Sequence, residues 1–328
     1  MTLDIFPWQT QQWQNVIACK QENRLPHALL FAGIQGLGKK HFALCLAHTL
    51  LCNAGANAPC GQCHACHLLR VQSHPDFLVV EPEKSGQMIK VDQVREAVQF
   101  MNETALQGGL RIIIINPANA MNINAANALL KTLEEPAPNI VIMLISDQSL
   151  RLPATIVSRC QKIIFHKPDT EMALTWVQSH LQKKDVDIRI LLNLANGAPL
   201  KAIQFADSDI LLLRQTLYQG LTLLARRQSD PLKFAAELQE YDVQTLLNLL
   251  INWLQDLLRF KLTEGQAELI NDDYQRVFVE LTPLFSYINI ISFLDHLKET
   301  YASLTTLNLN RQLMIEALLI RWVQYATC

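Results

Sequence analysis

The sequence predicts an α/β domain with a central parallel sheet, followed by an all-helical second half. Two observations support this prediction. In the first half, short apolar runs alternate with helical segments, as in a doubly wound α/β domain. From about Pro168 onwards, apolar residues instead recur at helical spacing, for example at Leu246, Leu247, Leu249 and Leu250.

Four apolar runs in the first half are predicted to be strands: His27–Gly33, Phe77–Val80, Arg111–Ile115 and Ile140–Ile145. The third run, RIIII, is apolar at almost every position, as expected of a central strand covered by helices on both faces. Between the strands, helices are predicted at about Lys39–Leu51, Val91–Asn102 and Asn124–Glu135. The last of these helices is stopped by Pro136.

Size and composition indicate an ordinary globular protein. The 328 residues suffice for two or three domains, and 50% of them are hydrophobic while 18% are charged. A net charge of -2 gives no general attraction to nucleic acid. No apolar run is long enough to cross a membrane, and the start, MTLDIFPWQT, lacks the features of a signal peptide. We therefore expect a cytoplasmic location and no membrane partner.

The segment GIQGLGKK, from Gly33 to Lys40, follows the first predicted strand and opens a helix, which is the setting of a phosphate-binding loop. Its glycines, Gly33, Gly36 and Gly38, would let backbone N–H groups approach phosphate oxygens, and Lys39 would reach the outer phosphates. The alternative is a glycine-rich turn between a strand and a helix. The strand–loop–helix order favours the phosphate loop.

Three positions argue against hydrolysis of a bound nucleotide. The loop position that normally carries Ser or Thr, whose hydroxyl ligates magnesium, is Lys40. The strand that should end in a metal-binding acidic pair ends in Asn116 and Pro117. We therefore expect no significant ATPase activity in the isolated chain, whereas ATP binding without hydrolysis stays open.

Four of the eight cysteines form a cluster with the spacing C-x7-C-x2-C-x2-C: Cys52, Cys60, Cys63 and Cys66. Four thiolates complete a tetrahedral shell, which is the usual form of a structural zinc site. Iron–sulfur ligation is the rival interpretation, but nothing else in the sequence indicates redox chemistry. His64 and His67 lie close by and are interpreted as bystanders. The isolated cysteines, Cys19, Cys45, Cys160 and Cys328, are expected to be structural.

Two further segments indicate no specific function when each is considered alone. Residues 127–136, NALLKTLEEP, form by themselves an amphipathic helix with a proline stop, with Glu134 and Glu135 directed outward. Arg159 lies in the triplet SRC, residues 158–160. An arginine at a subunit edge could stabilise charge on a neighbour's γ-phosphate, but spacing alone favours a surface salt bridge.

The order of these motifs resembles the clamp-loader branch of the AAA+ ATPases. LLKTLEEP followed by SRC is highly specific to subunits of bacterial DNA polymerase III clamp loaders and their relatives. Within that branch, Lys40, Asn116 and Pro117 make the chain similar to the non-hydrolysing delta-prime subunits rather than to the motor subunits.

The resemblance implies three domains. Residues 1–166 would form a AAA+ (RecA-like) α/β domain with a zinc module at about 52–66. Residues 167–207 would form a helical lid, and residues 208–328 a helical collar domain for oligomerisation.

The resemblance also implies a role. The chain would be a stator that assembles with delta and with the gamma and tau motor subunits of a DNA polymerase holoenzyme. That assembly loads the sliding clamp onto primed DNA with ATP bound by the motors. Arg159 maps onto the arginine finger that acts on a neighbour's ATP site in trans. Two alternatives stay open: an ATP-hydrolysing motor subunit of the same branch, and a zinc-dependent DNA-binding module.

Overall fold

The computed structural model describes residues 4–54, 59–84, 86–107, 109–147, 152–181, 186–303 and 310–326. The chain divides into two units, Met1–Asp169 and Thr170–Cys328. All described strands belong to the first unit, and the described part of the second unit is helical. The predicted fold class, an α/β domain followed by all-α structure, is confirmed.

A five-stranded parallel sheet organises the first unit. Its strands are β1 (Ala28–Ala32), β2 (Phe77–Val80), β3 (Arg111–Ile115), β4 (Ile140–Ser146) and β5 (Gln161–Ile164). They lie in the order β2-β3-β4-β1-β5, so β1 is an interior strand between β4 and β5. Every residue of β1, β3 and β4 is buried, as expected for the centre of a sheet in an α/β domain.

The described helices of the first unit are α1 (Thr10–Gln21), α2 (Lys39–Leu51), α3 (His64–Arg70), α4 (Val91–Asn102), α5 (Ile123–Glu134) and α6 (Ala154–Val157). The predicted bounds of α2 and α4 are confirmed. Helix α5 starts and ends one residue earlier than predicted. The side chain of Asn122 caps it by accepting a hydrogen bond from the N–H of Ala125 at 2.8 Å.

Three elements of the first unit lack the apolar pattern that marks the others. Helix α1 has only two buried residues, Val16 and Ile17, and α3 is a short helix inside the cysteine cluster. Strand β5 lies at the edge of the sheet, and three of its four residues are exposed. Helix α1 and strand β5 bury few side chains and α3 has only seven residues, so hydrophobic periodicity does not predict these elements.

The described helices of the second unit are α7 (Thr170–His180), α8 (Ile188–Leu194), α9 (Pro199–Ala206), α10 (Ile210–Ala225), α11 (Pro231–Glu237), α12 (Val243–Thr263), α13 (Gln275–Leu281), α14 (Tyr287–Ser303) and α15 (Arg311–Tyr325). They share one apolar core. Its largest fully buried side chains are Trp253, Trp322 and Tyr218. The indole N–H of Trp322, on α15, donates to the carbonyl oxygen of Leu221, on α10, at 2.8 Å.

A buried polar network ties the segment before α13 to α10 and α12. Arg214 donates to Asp273 at 2.8 Å and to the side chain of Asn271 at 3.0 Å. Asp256 accepts hydrogen bonds from the backbone N–H groups of Ile270 and Asn271 at 3.0 and 2.7 Å. Burial raises the pKa of Asp256, and these N–H donors oppose that shift.

The boundary between the two units falls after Asp169. The finer division of the second unit, into a lid at 167–207 and a collar at 208–328, stays a prediction.

Among the described residues, no single helix has both the length and the apolar character needed to span a membrane. One helix pair, Asp272–Leu284 with Tyr287–Tyr301, meets that test on length and composition alone, and its two members are bent by 110°.

Candidate functional site

The loop between β1 and α2 has the backbone that a phosphate loop requires. Gly36 and Gly38 have φ values of 86° and 81°, in the region that favours glycine. Gly38 is the N-cap of α2, so the helix begins at the next residue. At Gly33, a Cβ would collide with the carbonyl oxygen of Phe165. The predicted glycines therefore lie together at the carboxyl end of β1 and open α2.

Residues 6–9 pack against this loop. The indole of Trp8 and the side-chain amide of Gln9 both donate to the carbonyl oxygen of Leu37, at 3.0 and 2.8 Å. Phe6 stacks on Trp8, with ring centroids 5.0 Å apart, and its ring also lies against Gly38. Side chains from another part of the chain thus hold the loop in shape.

A Gly38→Ala substitution is expected to lower the free energy of unfolding by about 2–5 kcal/mol, of which about 1–2 kcal/mol is strain of the left-handed backbone and about 1–3 kcal/mol is overpacking. The added Cβ would lie 2.5 Å from two carbons of the Phe6 ring. The measurement is urea-induced unfolding.

Gly86→Ala is the matched control, because Gly86 has the same φ of 81° and a Cβ added there would meet no heavy atom within 4 Å. It should show only the strain of the left-handed conformation, about 1–2 kcal/mol. Equal losses in the two variants would show that the Phe6 ring moves aside from the added methyl without cost.

The ammonium of Lys39 is held inside the loop. It donates to the carbonyl oxygens of Gly33 and Ile34, both at 2.7 Å, and to Oδ1 of Asp147 at 2.6 Å. Its side chain is only 3% exposed. Burial lowers the pKa of Lys39, and the nearby carboxylate of Asp147 opposes that shift. The carboxylate thus contacts the cation that, in a phosphate loop, contacts phosphate.

Lys40, which occupies the loop position of the usual magnesium-binding Ser or Thr, forms an ion pair. The ammonium of Lys40 lies 2.8 Å from the carboxylate of Glu81. The side-chain amide of Asn116 donates to Oε1 of the same carboxylate at 2.6 Å. Glu81 follows β2 and Asn116 follows β3, so neighbouring strand ends bring these groups together. One cation and one amide donor are therefore directed at the Glu81 carboxylate.

Glu81 and Asp147 were not among the predicted site residues. Each comes directly after a strand, and the carboxyl ends of parallel strands form the usual binding edge of an α/β sheet. That rule, applied to every charged residue after a predicted strand, would have identified both.

The four clustered cysteines converge in space. All their Sγ atoms lie within 4.8 Å of one another. The Sγ atoms of Cys52 and Cys63 are 4.0 Å apart, as are those of Cys60 and Cys66. A tetrahedral zinc ion with Zn–S bonds of about 2.3 Å requires sulfur–sulfur distances of about 3.8 Å. The donor set therefore fits one tetrahedral metal ion.

Backbone N–H groups already point at these sulfurs. The N–H of Cys60 donates to Cys52 Sγ at 3.4 Å, and that of Cys66 to Cys63 Sγ at 3.5 Å. The second of these bonds lowers the pKa of the Cys63 thiol to about 6, which favours the thiolate that binds metal. Burial raises the pKa of the Cys66 thiol to about 12, so a metal ion would have to displace that proton.

The remaining cysteines and the neighbouring histidines lie outside this group. His64 and His67 are exposed and do not belong to the described metal-binding cluster. Cys19, Cys45 and Cys160 are free thiols, and burial raises the pKa of Cys45 to about 12 and that of Cys160 to about 11. Cys328 lies outside the described residues.

Arg159 lies in the turn between α6 and β5. Its Nη1 donates to the carbonyl oxygen of Thr155 at 2.8 Å, and its Nη2 lies 2.5 Å from Oε1 of Glu134. Its side chain is 35% exposed. Arg159 therefore forms the surface salt bridge that its sequence context favours. Its acidic partner, Glu134, belongs to the NALLKTLEEP segment.

Comparison with known proteins gives matches along most of the chain. A family model described as "DNA polymerase III, delta subunit" matches residues 8–169, and one described as "DNA polymerase III, delta subunit, C terminal" matches residues 208–324. A solved structure of a gamma-subunit-related DNA polymerase III protein from Thermotoga maritima covers 96% of this chain and 99% of its own, with a TM-score of 0.45 and 19% identity.

Two relatives are named DNA polymerase III subunit delta'. The one from Pseudomonas aeruginosa is 36% identical over 322 residues, which is 97% of either chain. The one from Escherichia coli is 31% identical over 324 residues, which is 98% of this chain and 96% of the relative. The chain therefore belongs to the family of DNA polymerase III delta-prime subunits.

Proposed function

We propose that this chain is the non-hydrolysing stator subunit of a DNA polymerase III clamp loader. It assembles with the delta subunit and with the gamma and tau motor subunits, and the assembly loads the sliding clamp onto primed DNA. In bacteria this work takes place in the cytoplasm. The observation that carries the stator role is the Lys40–Glu81–Asn116 contact, which stands where a motor subunit would hold magnesium.

The phosphate loop keeps a binding role at most. Gly33, Gly36, Gly38 and Lys39 have the positions and the backbone of a phosphate cradle, so ATP could bind there. Binding would have to displace the Asp147 carboxylate from Lys39. Hydrolysis also needs a metal ion and a group that orients water, and Asn116 and Pro117 supply neither.

The catalytic contribution of this chain would be made in trans through Arg159. A guanidinium is always charged and presents a planar set of N–H donors, which suits the charge that develops on a transferred phosphoryl group. Arg159 is held by only two described contacts and remains partly exposed, so it can meet a group on a neighbouring subunit.

The cysteine cluster would hold one structural zinc ion through Cys52, Cys60, Cys63 and Cys66. The four thiolates leave no open coordination position, so the ion would stabilise the fold of the segment around it rather than activate water.

The domain organisation follows the family. Residues 1–166 would be the AAA+ domain, 167–207 the lid and 208–328 the collar through which the subunits assemble. The separate apolar core of the second unit supports an independently folded helical part.

The isolated chain is expected to hydrolyse Mg-ATP no faster than its own Lys39→Ala variant. The reason is that removing the phosphate-contacting lysine cannot lower an activity that the Lys40–Glu81–Asn116 contact already prevents. The measurement is phosphate release by the purified chain and, in parallel, by the complex reconstituted with delta and motor subunits.

In the same assay, omission of the chain from the reconstituted complex should abolish DNA-dependent ATPase and clamp loading. A turnover typical of motor subunits in the isolated chain, lost in the Lys39→Ala variant, would identify an ATP-hydrolysing motor instead.

A further inference from the structure

The structure joins two segments that lie far apart in the sequence. Glu134 is the last residue of α5, and Arg159 lies in the turn that precedes β5. Their side chains meet at 2.5 Å, between Oε1 of Glu134 and Nη2 of Arg159. The proposed function gives a role to the arginine and leaves the glutamate without one.

The contacts of Arg159 fix the orientation of its guanidinium. Nη1 is bound to the carbonyl oxygen of Thr155, and Nη2 to Glu134, so both terminal nitrogens are restrained. A guanidinium carries five N–H donors in one plane. Two partners therefore set the plane of the group and leave donors for a phosphate.

Glu134 is poorly placed for the helix that carries it. The C-terminus of a helix bears partial negative charge, and a carboxylate there costs about 0.3–1 kcal/mol in an exposed setting. Both side chains are partly exposed, at 35% and 48%, so the ion pair adds little stability in return. The contact of Glu134 with Arg159 is thus better explained by its effect on the orientation of the guanidinium than by a gain in stability.

The neighbouring residue shows that this contact is specific. Glu135 is also exposed, but within the described part of the chain its carboxylate forms no ion pair with Arg159. Glu135 is the C-cap of α5 and has left the helical conformation, with φ -125° and ψ 73°, so its side chain does not continue the helical face that carries Glu134.

We infer that Glu134 is a positioning residue for Arg159, which holds the guanidinium in the orientation that meets the phosphate bound by a neighbouring subunit. This inference rests on the proposed arginine-finger function.

The test uses the full complex reconstituted with delta and motor subunits. Glu134→Ala should lower the single-turnover rate constant for ATP hydrolysis at the site next to this chain about 10-fold and change the ATP concentration that gives half of the maximal rate less than 2-fold, because misplacement of a group by about 1 Å costs up to 10²-fold. Glu134→Gln keeps an acceptor oxygen and should recover most of the rate. Glu135→Ala should match the wild type.

A double-mutant cycle separates positioning from a general structural role. Because Glu134 acts through Arg159, adding Glu134→Ala to Arg159→Ala should cause no further loss of rate. The thermal unfolding midpoint of each variant, measured in parallel, verifies that all of them fold.

The outcomes distinguish the positioning role of Glu134 from the arginine-finger role of Arg159. A wild-type rate in Glu134→Ala together with a slow Arg159→Ala would overturn the positioning role and leave the arginine finger intact. An additive loss in the double variant would also overturn it. A wild-type rate in Arg159→Ala would overturn the proposed finger, and the positioning role with it.

Discussion

An Arg159→Ala variant, assembled with delta and motor subunits, is expected to slow ATP hydrolysis at the neighbouring active site about 10³-fold or more, the usual size of an arginine-finger effect. The loss arises in the transition state, because a charged, planar donor is removed from the phosphoryl group that is being transferred. The chain itself should remain folded, since a half-exposed ion pair contributes only about 0–1 kcal/mol.

Single-turnover hydrolysis is the appropriate measurement, because it resolves one slow site among several active ones. ATP at the site next to this chain should persist while the rest is consumed. Arg24→Ala is the matched control, since Arg24 also forms a short ion pair, at 2.6 Å from Glu22, in the same unit. Equal kinetics for Arg159→Ala and Arg24→Ala would refute the finger.

Substitution of Cys66 by serine is expected to reduce the metal content from about one zinc ion per chain to less than a tenth of that. Cys66 is 2% exposed and lies on α3, so its loss removes the most buried of the four ligands. Structural zinc sites in small modules bind with about 10–16 kcal/mol, much of which is folding free energy. We therefore expect a clear fall in the thermal unfolding midpoint as well.

Elemental analysis of the purified protein and calorimetric or spectroscopic melting measure these two effects. Cys19→Ser serves as the control, because Cys19 is a partly buried free thiol outside the cluster. Full zinc content in Cys66→Ser would exclude the four-thiolate site. Iron and labile sulfide in place of zinc, with the matching visible absorption, would support the iron–sulfur interpretation.

Hydrophobic patterning predicted the central elements of the fold and missed the peripheral ones. Strand β3 and helices α2 and α4 bury whole faces, so their apolar residues recur with a clear period. Strand β5 exposes three of its four residues, and helix α3, with only seven residues, is too short to show such a period. The position of β5 next to β1 is a long-range pairing that the local sequence does not encode.

The candidate site was predicted where a motif fixes the local backbone. The glycines of the phosphate loop and the four cysteines are close in sequence, so their spacing alone brings them together. The acidic partners of Lys39, Lys40 and Arg159 come from distant strand and helix ends. Local sequence does not predict such long-range side-chain contacts. Glu134 is an example, because nothing in the sequence distinguishes it from any other outward glutamate on an amphipathic helix, yet it contacts Arg159.

The packing of residues 6–9 on the phosphate loop has a spectroscopic consequence. Trp8 is a half-buried tryptophan whose indole N–H donates to the carbonyl oxygen of Leu37, within the loop itself. Indole fluorescence responds to hydrogen bonding and to the polarity around the ring. The chain has four other tryptophans, of which Trp253 and Trp322 are fully buried in the helical core of the second unit. Trp8 thus serves as a built-in optical probe of loop occupancy, and its emission can be isolated by subtracting the spectrum of a Trp8→Phe variant.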